Sequence, residues 1–328
     1  MKKGIICVLL AAVLLATAVP VRAESNDRIV VFPDAAHKDA CRLMASAKRS
    51  ILLTIYDFSD PRVADALADA ACRGVRVYVM VDPGERLNLT DSKGIVAGLV
   101  RSGATVRSAS PAFRITHAKY FIVDETSAYI SGNNFTYADG KKNRAFAVIT
   151  TDAAVVHDLT AVFWADWRRA PLTVDQLTSD RVVVSPLNAG ARISELIDGA
   201  TSTIVIAAQY LKSDAVNQAL AAAARRGVSV HAITDGTNSD SRSAAFAAEM
   251  LIGDGTVRVS MTPYYHSKMM IVDGREMFVG SQNFSDPPLT DGNPLQQQRE
   301  IGIVVNDPSL IAAAQAVFEY DWLRSIHP

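Results

Sequence analysis

The sequence is poor in cysteine and has none arranged as a metal site. Three of its 328 residues are cysteines, at positions 7, 41 and 72, and they do not combine with histidines at the spacing of metal ligands. Structural zinc sites need such paired spacings, so we expect neither a metal nor another cofactor. Cys41 and Cys72 fall in predicted helices. They are either a disulfide or two small buried apolar residues.

Long apolar runs are missing after the N-terminus, so no transmembrane helix is expected there. Lys2 and Lys3 precede an apolar run over residues 5–18, and Val21-Arg22-Ala23 offers a small-x-small cleavage site. This pattern is typical of a secretory signal peptide, here residues 1–23. The run is short for a span of about 20 residues, which disfavours an uncleaved anchor. We therefore expect a periplasmic or secreted protein.

The chain also lacks an excess of basic charge. Removal of Lys2, Lys3 and Arg22 with the signal peptide takes the 33 basic residues to 30, against 34 acidic ones. Nucleic-acid binding depends on neutralising phosphates with basic side chains. The mildly acidic mature chain therefore weakly disfavours a nucleic-acid substrate, although a local basic groove would still allow one.

What the chain does contain is a long internal repeat. Residues 70–82 match residues 223–235 at an offset of 153, and shorter matches on both sides keep nearly the same offset. The repeat divides the mature chain into an N-terminal half, residues 24–172, and a C-terminal half, residues 180–328. Repeats of this length indicate two copies of one structural unit.

Each half alternates strand-like and helix-like patterns. Residues 29–32, 51–56 and 75–81 are short runs rich in β-branched residues, separated by amphipathic segments. Alternating strands and helices are typical of α/β folds, and continuous apolar runs indicate strands covered on both faces. We predict two tandem α/β sandwich units related by a pseudo-twofold axis. Each has a mostly parallel central sheet flanked by helices.

A set of polar residues recurs late in each half. In the first half they are His117, Lys119, Asp124, Ser131 and Asn134. In the second half they are His266, Lys268, Asp273, Ser281 and Asn283. The spacing of His, Lys, Asp and Asn is identical in both copies. His and Lys two residues apart share one face of a strand. Two imidazoles and two lysines suit phosphodiester cleavage, with one His attacking phosphorus and the other protonating the leaving oxygen.

These motifs resemble the signature of the phospholipase D superfamily, H-x-K-x(4)-D-x(6)-G-[GS]-x-N, in two copies. The resemblance implies a pseudo-twofold α/β fold and metal-free catalysis through a phosphohistidine. It implies that His117 is the nucleophile and His266 the general acid. It also assigns phosphate binding to Lys119, Lys268, Asn134 and Asn283, with help from Ser281.

The chain departs from the family pattern at two places. In the first copy Ser131 precedes the glycine, so its hydroxyl sits one position early. The family often has a glutamate after the motif, and Glu300 fits, but the aligned residue of the first half is Ala145. A lone carboxylate would orient one imidazole, like the acid of a catalytic triad. Asp124 and Asp273 are candidates for a catalytic role, but we favour hydrogen bonding that holds a histidine or a loop.

Three functions fit this sequence. The first is a phospholipase D that hydrolyses a phospholipid headgroup ester. The second is another enzyme of the superfamily, a secreted nuclease or a phosphatidyltransferase such as a cardiolipin synthase. The third is an inactive module that binds a membrane or a partner. We favour phospholipid hydrolysis by a monomer that needs no protein partner and makes peripheral membrane contact.

The signal peptide gives a direct prediction. Protein expressed in a Gram-negative host should begin at Glu24 and be found outside the cytoplasm, because the charged start, apolar run and cleavage site are all present. Intact-mass measurement of the purified protein checks this. A retained Met1 would contradict it.

Overall fold

The structure is a computed structural model, and it describes residues 26–35, 37–84, 90–236, 255–289 and 297–327. The predicted signal peptide, residues 1–23, lies outside the described residues, and so does its cleavage site. None of the helices in the described ranges combines the length and hydrophobicity needed to cross a bilayer.

Apart from two short strands of the C-terminal half, Leu211–Lys212 and Phe284–Ser285, the described strands and helices follow a similar order in both halves. The N-terminal half contains β1 (Arg28–Phe32), α1 (Lys38–Ala45), β2 (Ser50–Ile55), α2 (Pro61–Cys72), β3 (Arg76–Val81), α3 (Thr90–Arg101), β4 (Thr105–Ser108), β5 (Ile115–Thr116), β6 (Tyr120–Val123), β7 (Ser127–Ser131), α4 (Tyr137–Lys141), β8 (Asn143–Thr150) and α5 (Ala153–Arg168). The C-terminal half contains β9 (Val182–Ser185), α6 (Ala189–Asp198), β10 (Thr203–Ala208), β11 (Leu211–Lys212), α7 (Asp214–Arg225), β12 (Ser229–Asp235), β13 (Gly255–Ser260), β14 (Tyr264–Tyr265), β15 (Lys268–Val272), β16 (Glu276–Gly280), β17 (Phe284–Ser285), α8 (Asp286–Leu289), β18 (Gln298–Val305) and α9 (Pro308–Trp322). A 3-10 helix, Val174–Gln176, lies between the halves.

Helix α2 shows how local sequence sets these elements. The side chain of Asp60 caps its first turn by accepting a hydrogen bond from the backbone N–H of Arg62. Gly74 follows its last turn with a φ of 88°, a backbone conformation that glycine adopts without strain. The helix buries an apolar stripe of Val63, Leu67 and Ala70. The spacing of three and four residues keeps that stripe on one face against the sheet.

The two predicted α/β units are present, and each contains a mixed sheet. The strand order is β1-β8-β7-β6-β2-β3-β4 in the first sheet and β9-β18-β16-β15-β10-β12-β13 in the second. Within these two orders, parallel pairing joins only β2, β3 and β4, and their counterparts β10, β12 and β13. The other neighbours within these two orders are antiparallel, so the expectation of a mostly parallel sheet needs correction. Strands β6, β7 and β8 follow one another through short connections, and such connections allow only antiparallel neighbours.

The two halves share one core. Helices α5 and α9 contribute to a cluster of buried residues that also includes side chains from both sheets. The outer helices pack into separate clusters, α1 and α2 in the first half and α6 and α7 in the second. The shared cluster makes the two units one packed body, because its apolar surface is removed from water only when the halves are together.

Two short strands cross from one half to the other. Strand β5 belongs to the N-terminal half but pairs with β18, and β14 belongs to the C-terminal half but pairs with β8. β5 ends immediately before His117, and β14 ends immediately before His266. Each histidine motif is therefore placed against the opposite half of the chain.

Reciprocal ion pairs accompany this exchange. The guanidinium of Arg144 donates to both carboxylate oxygens of Asp321, with N–O distances of 2.6 and 3.1 Å. The hydroxyl of Tyr265 donates to the same carboxylate at 2.9 Å. In the equivalent contact Arg299 donates to Asp166 at 3.0 Å. These four charged residues are buried, and each pair joins a central strand of one half to the last helix of the other.

The disulfide left open by the sequence is not formed. Cys41 and Cys72 both carry free thiols, Cys41 half-buried on α1 and Cys72 exposed at the end of α2. Burial raises the pKa of the Cys41 thiol, with a further contribution from the charge of Asp60.

The Arg144–Asp321 pair predicts a specific pattern of stability. Asp321→Leu should lower the free energy of unfolding by about 3–5 kcal/mol, because it leaves a buried guanidinium without its counter-charge. Arg144→Met/Asp321→Leu should recover most of that loss, because both charges are then gone. Urea unfolding of the purified variants measures both effects.

The exposed pair of Arg192 and Glu195 supplies the control. Glu195→Gln should change the free energy of unfolding by less than about 1 kcal/mol, as surface ion pairs do. If Asp321→Leu cost no more than this control, the buried pair would not stabilise the contact between the halves.

Candidate active site

Backbone hydrogen bonds hold both His-x-Lys segments against the opposite half. The N–H groups of His117 and Ala118 both donate to the carbonyl of Arg299, at 2.9 and 3.0 Å. In the other half the N–H of His266 donates to the carbonyl of Arg144 at 3.0 Å. The two strands that carry these arginines therefore fix the backbone of the two histidines.

His117 is paired with a carboxylate from the C-terminal half. Its Nδ1 lies 3.0 Å from Oε2 of Glu300, which is completely buried on β18. Burial raises the pKa of Glu300 to about 7, against the charges of Lys119 and Lys268 and a hydrogen bond from Ser281, which lower it. Because Nδ1 faces the carboxylate, Nε2 is the ring nitrogen of His117 that would act on phosphorus. The sequence prediction that Glu300 sits beside one imidazole agrees with this geometry.

His266 is paired with a carboxylate that the sequence analysis missed. Its Nδ1 lies 2.8 Å from Oδ1 of Asp139 and 3.1 Å from Oδ1 of Asn133, both from the N-terminal half. Burial acts to raise the pKa of Asp139, but the charge and hydrogen bond of His266 and the amides of Asn143 and Asn134 hold it well below its ordinary value. Because Ala145 aligns with Glu300, the sequence predicted a carboxylate beside only one of the two histidines. That inference was wrong, since Asp139 is the carboxylate beside His266.

Asp139 and Glu300 do not occupy equivalent positions in the two halves. Asp139 lies on the short helix α4, and Thr136 caps that helix by accepting a hydrogen bond from its backbone N–H at 3.1 Å. A threonine followed three residues later by an acid is an ordinary helix-start pattern. The sequence around Asp139 therefore predicts a capped helix start, and it does not indicate that Asp139 contacts a histidine.

The two motif lysines are buried beside the histidines. Nζ of Lys268 donates to the carbonyl of His266 at 2.8 Å, and Nζ of Lys119 donates to the carbonyl of His117. Burial lowers the pKa of Lys268 to about 7, against the charges of Asp139 and Glu300, which raise it. Burial also holds the pKa of Lys119 well below its ordinary value, and Lys268 adds to that effect. Groups from both halves therefore act on one another electrostatically and form one site.

Burial also lowers the pKa of the His266 imidazole. The positive charge of Lys268 adds to this shift, while the charge and hydrogen bond of Asp139 oppose it. An anion bound near the lysines would cancel part of their effect and favour the protonated imidazole. The protonation of His266 is thus coupled to what occupies the site.

The motif serines and asparagines lie in the same loops but play different parts there. Ser131 accepts a hydrogen bond from the backbone N–H of Asn133 at 2.9 Å, and Ser281 accepts one from Ile301 at 3.1 Å. The amide of Asn134 donates to Asp139 at 3.1 Å. The side-chain oxygens of Asn134 and Asn283 are buried without a hydrogen-bond partner in the described structure. Each of the two amides therefore has an unused hydrogen-bond acceptor.

The two motif aspartates lie away from the histidines. Asp124 accepts hydrogen bonds from the backbone N–H groups of residues 48–50, and Asp273 accepts them from residues 201–203. Each aspartate follows a strand that begins next to the motif lysine, so it sits at the far end of that strand, about 15 Å away. Both residues hold a loop, as favoured in the sequence analysis, and a direct catalytic role for Asp124 and Asp273 does not fit their position.

Aromatic side chains surround the two histidines. The ring of Tyr56 lies 4.8 Å from that of His117, and the ring of Tyr264 lies 6.2 Å from that of His266. Tyr264 also receives a hydrogen bond from Gln209 at 2.8 Å. Burial raises the pKa of Tyr210 to about 12, and the nearby charges of Glu300 and Tyr264 contribute. Sequence reasoning singled out Tyr264 but not Tyr56 or Tyr210, which follow the ends of β2 and β10 and carry no motif.

The assembled groups suit chemistry on a phosphodiester. Each of the two imidazoles has its Nδ1 held by a carboxylate. One imidazole can attack phosphorus, and the other can transfer a proton to the leaving oxygen. Two ammonium groups can stabilise the charge that gathers on the nonbridging oxygens. The described residues contain no group of three or more His, Cys, Asp or Glu side chains placed to hold a metal ion.

Comparison with known proteins gives consistent matches along the chain. A family model described as the PLD-like domain of cardiolipin synthase matches twice, over residues 40–167 and 193–322. A probable cardiolipin synthase of Bacillus subtilis, YwiE, is 22% identical over 93% of this chain and 67% of that protein. The mitochondrial cardiolipin hydrolase of Xenopus tropicalis is 28% identical over 41% of this chain and 62% of that protein.

Solved structures share the fold. Phosphatidylserine synthase of Haemophilus influenzae superposes with a TM-score of 0.66 at 15% identity, covering 91% of this chain and 86% of that one. Polyphosphate kinase of Porphyromonas gingivalis superposes with a TM-score of 0.70 at 20% identity, covering 90% of this chain and 50% of that one. The family model accounts for most of the chain in two copies, and the protein belongs to the phospholipase D superfamily, whose members are phosphodiesterases or phosphotransferases.

Proposed function

We propose that the protein is a phosphatidyltransferase that moves a phosphatidyl group from one phospholipid to an alcohol through a phosphohistidine. The observation that carries this proposal is the pair of imidazole–carboxylate contacts, each assembled from both halves around two buried lysines. The preference for transfer over plain hydrolysis is supported by the match to the cardiolipin synthase family model in both halves and by the Bacillus subtilis relative.

In the first step Nε2 of His117 attacks phosphorus, and the bond from phosphorus to the leaving oxygen breaks. His266 gives its Nε2 proton to that oxygen, and the first alcohol departs. In the second step a new alcohol gives its proton to His266 and attacks phosphorus, which releases His117. Water in place of the alcohol would give phosphatidate. Lys119 and Lys268 stabilise the negative charge on the nonbridging oxygens in both steps.

The two carboxylates support this division of roles. Asp139 has a strongly lowered pKa, so it stays ionised and favours the charged form of its neighbour His266, as a general acid requires. Glu300 has a pKa of about 7 and can share a proton with its neighbour. His117 therefore lies beside the carboxylate with the higher pKa, an arrangement that supports its proposed role as the nucleophile.

Hydrolysis is the second candidate. It was the reading favoured from the sequence, and the relatives named mitochondrial cardiolipin hydrolase and phospholipase D support it. The Rickettsia bellii phospholipase D is 32% identical over 33% of this chain and 52% of that protein. The same residues would perform both reactions, so the acceptor decides between them.

We further propose that a monomer is sufficient, because both half-sites lie in one chain.

The acceptor can be determined directly. The chain from Glu24 is incubated in EDTA with vesicles of phosphatidylglycerol, with vesicles of phosphatidylcholine, and with single-stranded DNA. Transfer predicts cardiolipin and free glycerol from phosphatidylglycerol, and activity should survive EDTA because the described groups supply acid, base and charge stabilisation. His117→Asn and His266→Asn should each lower the rate at least about 1,000-fold. His157→Asn, at an exposed histidine, is the matched control and should retain the rate.

Other outcomes are equally informative. Phosphatidate without cardiolipin would assign hydrolysis, and cleavage of DNA alone would assign a nuclease. Complete loss of activity in EDTA, restored by a divalent ion, would contradict the metal-free mechanism.

A p-nitrophenyl phosphodiester tests which histidine is the nucleophile and which is the general acid. It needs little protonation of its leaving group, so His266→Asn should still release one burst of nitrophenol while His117→Asn releases none.

Lys268 predicts the alkaline side of the pH profile. In the free enzyme its charge is lost as pH rises through about 7, so kcat/KM for an anionic phosphodiester should fall over that range. Bound phosphate restores the charge, so the fall in kcat should come at higher pH. Lys268→Met should lower kcat/KM about 100-fold at pH 6 and remove this limb. Rates with the p-nitrophenyl substrate measure both profiles, and an unchanged alkaline limb in Lys268→Met would assign it to another group.

A further inference from the structure

The two halves differ at one corner of the shared core. In the N-terminal half, Tyr78 on β3 packs against two tryptophans of α5, with ring centroids 5.2 Å from Trp164 and 5.4 Å from Trp167. Trp167 also stacks on Phe163 at 5.6 Å. These three large rings fill the space between the last helix of that half and its sheet.

The C-terminal half keeps part of this corner. Trp322 corresponds to Trp167: Arg258 lies over its ring at 4.7 Å, as Arg107 lies over Trp167 at 5.2 Å. Each arginine also donates to the carbonyl of its tryptophan, at 2.8 and 2.7 Å. Phe318 stacks on Trp322 at 5.6 Å, as Phe163 does on Trp167.

The other two rings of the corner are replaced. Strand register puts His231 at the place of Tyr78, because His231 lies opposite Val205 on β10 as Tyr78 lies opposite Leu52 on β2. On the last helix Glu319 stands three residues before Trp322, where Trp164 stands three residues before Trp167. The C-terminal half thus has a smaller imidazole and a carboxylate where the N-terminal half has a phenol and an indole.

At this corner, between α9 and the sheet, lies a pocket of about 560 Å³ that is partly open to solvent, and Glu319 is exposed at it. Its apolar walls include Val205, Ile311 and Phe318, and its polar groups include His231 and Glu319. The imidazole of His231 lies edge-on to Trp322 at 4.9 Å, and Gln315 donates to Glu319 at 3.0 Å. The volume is in the range of small-molecule sites. Asp273 also lines this cavity, so it lies at the end of the sheet away from the active-site histidines.

We propose that this cavity is a second ligand site, which binds a planar aromatic molecule carrying an amine. In the first half an indole and a phenol stand at the positions equivalent to Glu319 and His231. Apolar walls and the Trp322 and His231 rings favour burial of a flat aromatic ring. The carboxylate of Glu319, at the position of the missing indole, supplies a counter-charge for an ammonium group. The site is independent of the proposed reaction.

Tryptamine is a suitable probe, because it joins an indole to an ammonium group. The chain has three tryptophans, at 164, 167 and 322, so its indole N–H groups give three resolvable NMR signals in a ¹⁵N-labelled sample. Tryptamine should shift the Trp322 signal saturably, with a Kd of about 1 mM as expected for a ligand of this size, and leave the other two in place. The absence of a saturable shift up to about 10 mM would overturn the proposal.

Two variants make the test specific. His231→Tyr/Glu319→Trp restores the rings of the first half, so it should abolish the shift while turnover of the p-nitrophenyl substrate shows that the fold is intact. Glu319→Gln should weaken tryptamine at least about fivefold and leave the binding of neutral indole unchanged. A shift that persists in the double variant would place the ligand elsewhere. Equal weakening of tryptamine and indole by Glu319→Gln would contradict the assigned role of the carboxylate.

Discussion

The exchange of strands β5 and β14 between the two halves is the constraint on which the site depends. Each of these strands leads directly into a histidine, and each pairs with a central strand of the other half. The backbone N–H of each histidine and the Nδ1 of its ring are therefore fixed by residues from across the interface. One half alone would leave its imidazole without a partner. The buried pairs Arg144–Asp321 and Arg299–Asp166 join the same two strands to the opposite helices, so packing and catalytic geometry are maintained together.

The protonation of the charged groups inside the site depends on whether the site is filled. Two lysines and two carboxylates are buried together, and the pKa of Lys268, Lys119 and His266 all lie below their ordinary values because water is excluded. Binding of a phosphodiester anion would raise all three, so substrate binding should take up protons. The proton needed by the leaving group is then most available when the substrate is in place. A fully hydrated site would lose this coupling, because water would screen each charge from the others.

Sequence reasoning found the repeat, the two α/β units and the histidines and lysines of both motifs, because these features appear as patterns along the sequence. It failed where the answer depends on contacts between halves. Nothing in the local sequence shows which of the two imidazoles Glu300 faces, or that Asp139, placed as an ordinary capping acid, faces His266. The mixed sheets were missed for a related reason: helix-connected strands predict parallel pairs, while short connections put the antiparallel strands between them. Tyr56 and Tyr210 carry no motif, and only the fold brings them to the histidines.

Both copies of the repeat keep the exchange of strands β5 and β14, but the residues around the two histidines differ. This difference allows two similar histidines to act differently. Burial raises the pKa of Glu300, whereas the charge and hydrogen bond of His266, together with the amides of Asn143 and Asn134, outweigh burial and lower the pKa of Asp139. A perfectly symmetric pair would give both imidazoles the same proton affinity, and acid and nucleophile would then be distinguished only by the substrate. Supplying the two carboxylates from different positions breaks that symmetry without moving either histidine. The same freedom explains how the C-terminal half can have His231 and Glu319 in place of the rings of Tyr78 and Trp164, since the arginine contacts that hold its tryptophan remain in place.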